Sequence, residues 1–497
     1  MSGTHPPAAQ AQNPPPPRLG VVVATLAFTG IAGAMTQTLV LPIVPLLPRL
    51  LDAQPSDTAW AVTATLLCGA VSTPVTGRLG DMYGKRRMLL IGVGMLVLGS
   101  VICGLSDSLA PLLVGRALQG LAAGVVPLGV SIMRDLLPAE KLPGATAAML
   151  GSLGVGAALG LPAAAIIADN FDWHMLFWVS AALGAVAAGL VFLLVPESKV
   201  RTGGRFDLPG AVGMAVGLVC LLLAVSKGAD WGWGGRTVLS LFAVAVIVLV
   251  LWGWFELRAP QPMVDLRTTA RPQVLLTNLA GLALGLALFA MNLVLPQLLT
   301  MPEATGYGLG KSLVVTGLVM APQGLMMMAV SPFGARITKS RGPKATLMTG
   351  SVIVGAGYFL TMGMMSGIWQ VIVASCVVAT GVGFAYGALP ALIMEAVPVS
   401  ETAAANGLNA LMRSIGTTGS SAVAGLILAH MTTDFHGVHI PTENGLRAVL
   451  ALGVGAGALT FVFASLIPRR PQADVPAPAG SAAVKAAGAE QNGTSST

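Results

Sequence analysis

The sequence Gly-Arg-Leu-Gly-Asp-Met-Tyr-Gly-Lys-Arg-Arg at residues 77–87 is a short polar loop between two apolar runs, and it recurs later in the chain in altered form. Residues 334–344, Gly-Ala-Arg-Ile-Thr-Lys-Ser-Arg-Gly-Pro-Lys, also separate two apolar runs. Three residues match at a separation of 258 positions: Pro74 with Pro332, Arg78 with Arg336, and Gly84 with Gly342. The chain therefore contains two related halves.

The composition around these loops is that of a membrane protein. Hydrophobic residues make up 55% of the 497 residues, charged residues make up 9%, and the mean hydropathy is +0.80, which excludes an ordinary soluble protein. About 20 apolar residues cross a hydrocarbon core of roughly 30 Å. We identify fourteen such windows, at residues 19–50, 58–77, 88–105, 109–136, 144–168, 174–195, 208–226, 236–255, 274–299, 312–332, 345–365, 368–394, 404–430 and 446–467.

The positions of the basic residues predict the orientation. If the N-terminus is cytoplasmic, the inner loops and tails hold 20 of the 27 Lys and Arg residues, and the outer loops hold five. The remaining two, Arg116 and Arg413, lie within windows. We therefore expect a multi-pass protein of the inner (cytoplasmic) cell membrane with both termini in the cytoplasm. The net charge of +7 is spread over the loops, which argues against a nucleic-acid partner.

The repeat and the windows divide the chain into five parts. We predict a disordered tail at 1–17, a six-helix bundle at 18–195, an inserted helix pair with cytoplasmic linkers at 196–273, a second six-helix bundle at 274–467, and a disordered tail at 468–497. The ends of the fourth and twelfth windows support the repeat, because Asp135 and Glu395 each precede a proline by three positions. The expected fold is an all-α membrane protein of fourteen transmembrane helices.

Few residues indicate metal or enzyme chemistry. The four cysteines lie singly in apolar runs, so neither a disulfide framework nor a metal site is indicated. His436 and His439 share one outer loop, which we interpret as solvated. No cluster of acids, histidines or phosphate-binding glycines is evident at one membrane face, so we expect no enzyme, metal or organic cofactor. A transport-inactive sensor or a membrane enzyme remains an alternative of another class.

These features resemble the major facilitator superfamily, and specifically its fourteen-helix drug:proton antiporter branch, over residues 19–467. The loop at 77–87 resembles the superfamily signature GxLaDrxGrkxxl, and residues 116–120, Arg-Ala-Leu-Gln-Gly, are similar to the RxxQG motif of the exporters. The resemblance implies a secondary active transporter, here a multidrug-efflux or antibiotic-resistance exporter, that works by alternating access with proton antiport.

The loop at 77–87 is expected to form a gate. Its glycines permit a tight turn, Asp81 can face the positive N-terminal end of a helix, and the basic cluster holds the loop inside. In the resembling family the acid meets the thirteenth helix, here near residues 402–406, and locks the halves while the cavity faces outward. The alternative is that the loop only fixes topology. The expected gating residues are Gly77, Arg78, Asp81, Gly84, Lys85 and Arg86.

Two arginines within windows are candidates for proton coupling or for cavity polarity. A cation in the membrane costs at least a few kcal/mol, so Arg116 and Arg413 should face the interior or a wet cavity. Gln119 lies one helical turn from Arg116. A packing or snorkelling role for Arg116, and a structural role for Arg413, remain alternatives. Our hypothesis is that both arginines line one polar cavity.

The fifth window resembles the antiporter motif gxxxGPxxGG with departures. Gly156 and Gly160 match, but Leu161 stands where proline is expected and Pro162 follows one place late. Small residues at four-residue spacing still predict a flat packing face against which the other half can slide.

The first window departs most from the family pattern, LDxTVVNVALP. Thr36 replaces the acid and Leu41 the asparagine, and none of the 20 Asp and Glu residues lies deep inside a window. An acid-free cavity gives no reason to select cations, so neutral or anionic amphiphiles are equally plausible substrates. Coupling would then use loop-end acids such as Asp135 or Glu395, a histidine near the outer ends, or the ionisation of the substrate.

The remaining cavity candidates are polar or adaptable side chains at mid-depth. An amide that faces lipid without a partner is costly, which favours an inward position for such residues. The candidates are Gln37, Asn292, Gln297, Gln323 and Tyr386. We expect a monomer whose partners are a small-molecule substrate, protons and the lipid bilayer. An exporter or facilitator without proton coupling, for a neutral or anionic metabolite or lipid-like compound, is the alternative.

Overall fold

The computed structural model describes residues 19–468 except residues 45, 199, 436 and 437. Both predicted disordered tails lie outside these residues, apart from residue 468 at the start of the second. The histidine at position 436 is also outside them.

Fourteen long helical segments follow one another along the described chain, and most of their bounds are close to the windows read from the sequence. They are α1 Leu19–Thr38, α2 Trp60–Tyr83, α3 Lys85–Gly104, α4 Leu109–Leu136 with a 3-10 turn at Ala122–Gly124, α5 Leu142–Asn170, α6 Met175–Leu194, α7 Leu208–Trp231, α8 Arg236–Glu256, α9 Pro272–Thr300, α10 Leu313–Ala329, α11 Ser331–Gly363, α12 Ile368–Ala396, α13 Thr402–His430 and α14 Glu443–Leu466. Two differ: α1 ends at Thr38, whereas the first window extends to residue 50, and α11 begins at Ser331, whereas the eleventh window begins at residue 345.

Short elements connect these helices. Short helical turns occur at Leu41–Ile43, Leu47–Leu50, Pro55–Thr58, Leu266–Thr269, Glu303–Thr305 and Val399–Glu401. An antiparallel hairpin, β1 Thr432–Phe435 with β2 Val438–Pro441, joins α13 to α14. This hairpin was not predicted from the sequence.

Eleven segments of the described chain are long and apolar enough to cross a membrane. One of them, Leu313–Gly363, contains both α10 and α11. Helices α2 and α13, of 24 and 29 residues, are not among the eleven because Thr, Ser and Gly lower their hydropathy. The chain is therefore a helical multi-pass membrane protein.

The helices pack as two bundles with a pair beside them. One buried apolar cluster lies mainly in α1 and α3–α6 and a larger one mainly in α9–α14, and each also includes residues of the other half. Helix α7 packs against both α2 and α13, so the inserted pair lies along the junction of the halves. Only 11% of the α8 window is buried, against 61% for α9, which leaves α8 as a peripheral helix.

The two related loops share a backbone feature, although residues 334–344 lie within α11, whose helical backbone is interrupted at Gly342. Gly84 has φ +116° and Gly342 has φ +82°, a backbone conformation that favours glycine. Arg86 donates to the Phe192 carbonyl at the end of α6, and the Lys344 Nζ donates to the Ser465 carbonyl, 2.7 Å away, at the end of α14. Each loop thus bonds to the last helix of its own half.

Candidate functional site

A cavity of about 310 Å³ lies between the two halves. It is lined by residues of α1 to α5 from the first half and of α12 and α13 from the second. Its apolar lining includes Leu96, Val126 and Leu153. Arg413 is the one charged side chain among the lining residues, which include no Asp, Glu, Lys or His.

Arg413 is held in this lining by contacts from three helices. Its Nη1 donates to Asn409 Oδ1 at 2.9 Å, one helical turn earlier on α13. Its guanidinium carbon lies 5.0 Å from the ring centroid of Tyr386 on α12. Asn409 in turn donates to Asn278 Oδ1 on α9 at 3.0 Å. The guanidinium group is therefore fixed by polar and ring contacts rather than by a carboxylate.

Arg116 occupies a different environment. It is 2% exposed, its Nε donates to the Ala61 carbonyl at 2.9 Å, and its Nη1 donates to Gln119 Oε1 at 2.6 Å. Gln119 then donates to Ser100 Oγ at 2.8 Å, which links α4 to α2 and α3. Arg116 is not among the residues that line the cavity, so the hypothesis that both arginines line it is wrong. Protein groups on α2 and α4 bind its donors instead.

The other cavity candidates divide into two groups. Gln37, Gln119 and Tyr386 line the cavity. Asn292 is exposed, and Gln297 and Gln323 are half-buried, and none of the three lines it. These three residues lie on α9 and α10, but the helices of the second half that line the cavity are α12 and α13.

Sequence reasoning missed the hydroxyl groups of the cavity. Thr29, Thr73, Ser414 and Thr417 belong to its lining, as does Thr36, which stands in place of the expected acid. Ser414 and Thr417 lie three positions apart, and Thr417 lies four positions after Arg413. This spacing places them on the Arg413 side of the helix, so they could have been predicted from the sequence.

Asp81 joins the halves at one end of the cavity. Its carboxylate accepts hydrogen bonds from the backbone N–H groups of Ala403 (3.3 Å) and Ala404 (2.9 Å) in the first turn of α13. The carboxylate is buried, and the N-terminal end of a helix stabilises a negative charge. Asp81 thus lies where the sequence analysis expected it.

Glycine permits this close approach. A Cβ atom on Gly77 would lie 2.5 Å from the Ala403 carbonyl oxygen, and one on Gly407 would lie 2.9 Å from the Thr73 carbonyl oxygen. Helices α2 and α13 are in backbone contact at this end.

Lys85 is buried and belongs to an ion-pair cluster. Its Nζ lies 2.6 Å from Asp135 Oδ2 and 3.6 Å from Asp81 Oδ1, and its side chain has no exposed surface. Lys85 thus has carboxylate partners that the sequence analysis did not identify. Arg86 is half-buried over the Phe192 ring, and Arg87 is exposed.

Arg134 is a second connection between the halves, and sequence reasoning did not single it out. Its guanidinium donates to the carbonyls of Met394, Val397 and Pro398 and to Thr402 Oγ1, where α12 ends and α13 begins. Six hydrogen bonds between the halves are described, and each involves Asp81 or Arg134. A basic residue in the last turn of α4 was the available signal.

The linkers of the inserted pair cover this end. The backbone N–H of Thr202 donates to the Asp81 carbonyl at 2.9 Å, and Ser198 donates to Asp135. A second cavity, of about 550 Å³, lies between both linkers, the start of α13 and Arg78. At its edge, burial raises the pKa of the Asp265 carboxyl, but hydrogen bonds from Thr268 and the Arg267 N–H hold that pKa below its usual value.

The fifth-helix residues pack in two directions. Gly156 and Gly160 pack against α1 of the same half, and a Cβ on Gly156 would lie 2.6 Å from the Ile31 carbonyl oxygen. Gly154 and Pro162 contact α10 of the other half. The face of α5 that packs on the other half is thus formed around Gly154 and Pro162, whereas Gly156 and Gly160, which were expected in it, point toward α1.

The chain matches the family model of the Major Facilitator Superfamily over residues 26–421 and 282–490. It is 27% identical over 391 residues to Multidrug resistance protein 3 of Bacillus subtilis, covering 76% of this chain and 73% of that one. It is also 27% identical over 441 residues to the tetracenomycin C resistance and export protein of Streptomyces glaucescens, covering 86% and 79%.

One solved structure is similar in fold. The human organic anion transporter MFSD10 (TETRAN) aligns with a TM-score of 0.62 at 15% identity, covering 91% of this chain and all of that one. At this identity the likeness concerns the fold alone.

Proposed function

Because this chain belongs to the Major Facilitator Superfamily, and is therefore a transporter of small molecules rather than an enzyme, we propose that it exports drug-like or other amphiphilic molecules by alternating access, in exchange for protons. The observation that carries the proposal is the cavity between the halves, which has an apolar lining and a few polar groups. The relatives named for multidrug resistance and for tetracenomycin C export support substrates of this kind.

The bonds at the Asp81 end support an outward-facing state. The six hydrogen bonds of Asp81 and Arg134 hold α2 and α4 against α12 and α13 there. Alternating access in this fold rocks one half against the other around a fixed site. Opening toward the cytoplasm would therefore break these bonds. We propose that Gly77, Asp81 and Arg134 form the cytoplasmic gate. The linker residues Ser198 and Thr202 are bonded to this end of the molecule.

The proposed topology has fourteen crossings in the cell membrane with both termini cytoplasmic. Helices α10 and α11 would cross separately within Leu313–Gly363, and α2 and α13 would cross although they are more polar. The excess of Lys and Arg in loops on the N-terminal side supports this orientation. A monomer suffices, since one chain supplies both walls of the cavity.

Proton coupling needs a group whose protonation changes during the cycle, and the lining residues of the cavity contain no carboxylate or histidine. Asp135, a candidate from the sequence, is bonded to Lys85 in this state. The same acid-free lining favours a second candidate function, which is proton-independent exchange or facilitated diffusion of the same substrates.

Everted membrane vesicles distinguish these functions. Sulforhodamine B and rhodamine 6G are suitable probes because they share a xanthene core and carry permanent net charges of opposite sign. We expect uptake of at least one dye when the vesicle interior is acidified, and loss of that uptake when nigericin collapses the pH gradient. Uptake that survives nigericin would favour the facilitator, and no protein-dependent uptake of either dye would contradict export.

A further inference from the structure

We propose that the cavity between the halves selects amphiphilic anions, and that Arg413 is the residue that contacts their anionic group. The inference rests on the proposed transport function and names its substrate class. It starts from charge, because the described lining residues hold one cation and no acid.

Arg413 lacks the partner that a cation in a membrane protein usually has. Intramembrane arginines are costly and normally pair with a carboxylate or with backbone carbonyls. No carboxylate of the described residues lies within ion-pair distance of Arg413. Its described side-chain hydrogen bonds go to Asn409 and Tyr386, which are both neutral, although a guanidinium group carries five N–H donors.

The surroundings hold the guanidinium group in place rather than neutralise it. The Tyr386 ring lies beside it, and Asn409 is itself fixed by Asn278 Oδ1 at 3.0 Å and by the Thr277 carbonyl at 3.4 Å. A Cβ on Gly285 would lie against the Arg413 backbone, so α9 and α13 are in close contact there. Planar, pre-positioned donors suit carboxylate, sulfonate and phosphate groups.

The other polar groups of the cavity lining are uncharged, and several of them already have partners. The hydroxyls of Thr36, Thr73 and Ser414 donate to the backbone carbonyls of their own helices, at 2.8, 2.6 and 3.1 Å. Gln119 accepts from Arg116 and donates to Ser100. Arg413 is therefore the strongest donor in the lining.

Arg116 has the opposite character. Its donors are bound within the α2–α4 contact, and it is absent from the lining. It stabilises one half, whereas Arg413 sets the charge of the shared cavity. An organic cation in this cavity would meet a like charge with no carboxylate to offset it, which disfavours binding.

Equilibrium binding to purified protein tests the inference without requiring transport. Fluorescence polarisation in a neutral detergent would measure the affinities for sulforhodamine B and rhodamine 6G. A hydrogen bond to a charged group contributes roughly 1.5–3 kcal/mol, so we expect the anion to bind at least about tenfold more tightly than the cation. Arg413→Gln should remove that preference, and Arg413→Lys should retain part of it.

The matched control is Arg447→Gln, which removes an exposed arginine paired with Glu443 outside the cavity and should leave both affinities unchanged. Equal affinities in the wild type, tighter binding of the cation, or wild-type anion affinity in Arg413→Gln would each overturn the inference. The wild-type comparison stands even if Arg413→Gln fails to fold. Anion-selective binding without any flux in proteoliposomes would overturn the proposed function and leave this inference standing.

Discussion

The Nζ atom of Lys85 lies 2.6 Å from Asp135 Oδ2, and both side chains are buried at the end of the molecule where the two halves meet. The pair joins the beginning of α3 to the end of α4, and Lys85 also lies 3.6 Å from Asp81, which bonds to α13. The ion pair thus supports the residues that connect the halves.

Breaking this pair should destabilise the protein strongly. Removing one partner of a buried ion pair leaves an uncompensated charge, which costs about 3–5 kcal/mol. We expect Lys85→Met to lower the free energy of unfolding by that amount in detergent, and Lys85→Met with Asp135→Asn to recover much of it. Lys311→Met, in an ion pair with the exposed Glu303, is the control and should have little effect. Equal stability of Lys85→Met and the wild type would refute the prediction.

Neutralising Asp81 should loosen the contact between α2 and α13. Asp81→Asn removes the charge that accepts from two N–H groups of α13, and hydrogen bonds to charged groups contribute roughly 1.5–3 kcal/mol. The reporter is Ala405→Cys in a protein from which the native cysteines have been removed. We expect Asp81→Asn to accelerate maleimide labelling of this cysteine about tenfold, which corresponds to the low end of that energy range. Asp207→Asn, which changes an acid that caps α7, should leave the labelling rate unchanged. An unchanged rate in Asp81→Asn would count against the gate.

A single methyl group on Gly77 should impair the proposed outward-facing state. The Cβ would lie 2.5 Å from the Ala403 carbonyl oxygen, so α2 and α13 would have to separate. We expect Gly77→Ala to lose transport of the wild-type substrate and to increase labelling at Ala405→Cys. Gly94→Ala is a matched control, because no atom lies within 4 Å of its added Cβ. Full transport by Gly77→Ala would show that the close contact is dispensable.

The two intramembrane arginines should differ in their effects. Arg116→Gln removes the bond to the Ala61 carbonyl, so we expect a lower melting temperature with an unchanged ratio of anion to cation affinity. Arg413→Gln should change that ratio. The two measurements are thermal unfolding and dye binding on the same preparations. A larger change of the ratio in Arg116→Gln than in Arg413→Gln would reverse the assignment.

The helices could be predicted from the sequence for a physical reason, whereas the contact of Asp81 with α13 was expected from the resemblance to the family. Apolar runs long enough to cross a bilayer have few alternatives to a helix, because every backbone polar group needs an internal partner there. The loop at 77–87 and its counterpart also carry charge and glycine in a pattern that fixes both the turn and its side of the membrane.

The rotation of each helix about its axis could not be predicted in this way. In an apolar helix the hydropathy is nearly uniform around the axis, so it does not reveal which side faces a neighbour. Arg116 was therefore expected in the cavity, whereas it bonds to the Ala61 carbonyl. Likewise, Gly156 was expected at the junction of the halves, whereas it packs on α1. The ion pair of Lys85 with Asp135 was not predicted either, because it joins residues fifty positions apart in the sequence.

Counterflow in proteoliposomes tests the central claim most directly, since it requires a cavity that binds its substrate and opens alternately to both sides. Liposomes loaded with unlabelled sulforhodamine B would be diluted, without a pH gradient, into a trace of radiolabelled sulforhodamine B. Rhodamine 6G would be tested in the same way in liposomes loaded with rhodamine 6G. We predict transient, saturable accumulation of labelled sulforhodamine B, no comparable accumulation of rhodamine 6G, and loss of the signal in Arg413→Gln. Absence of counterflow for both dyes, or equal counterflow of the cation, would contradict the account.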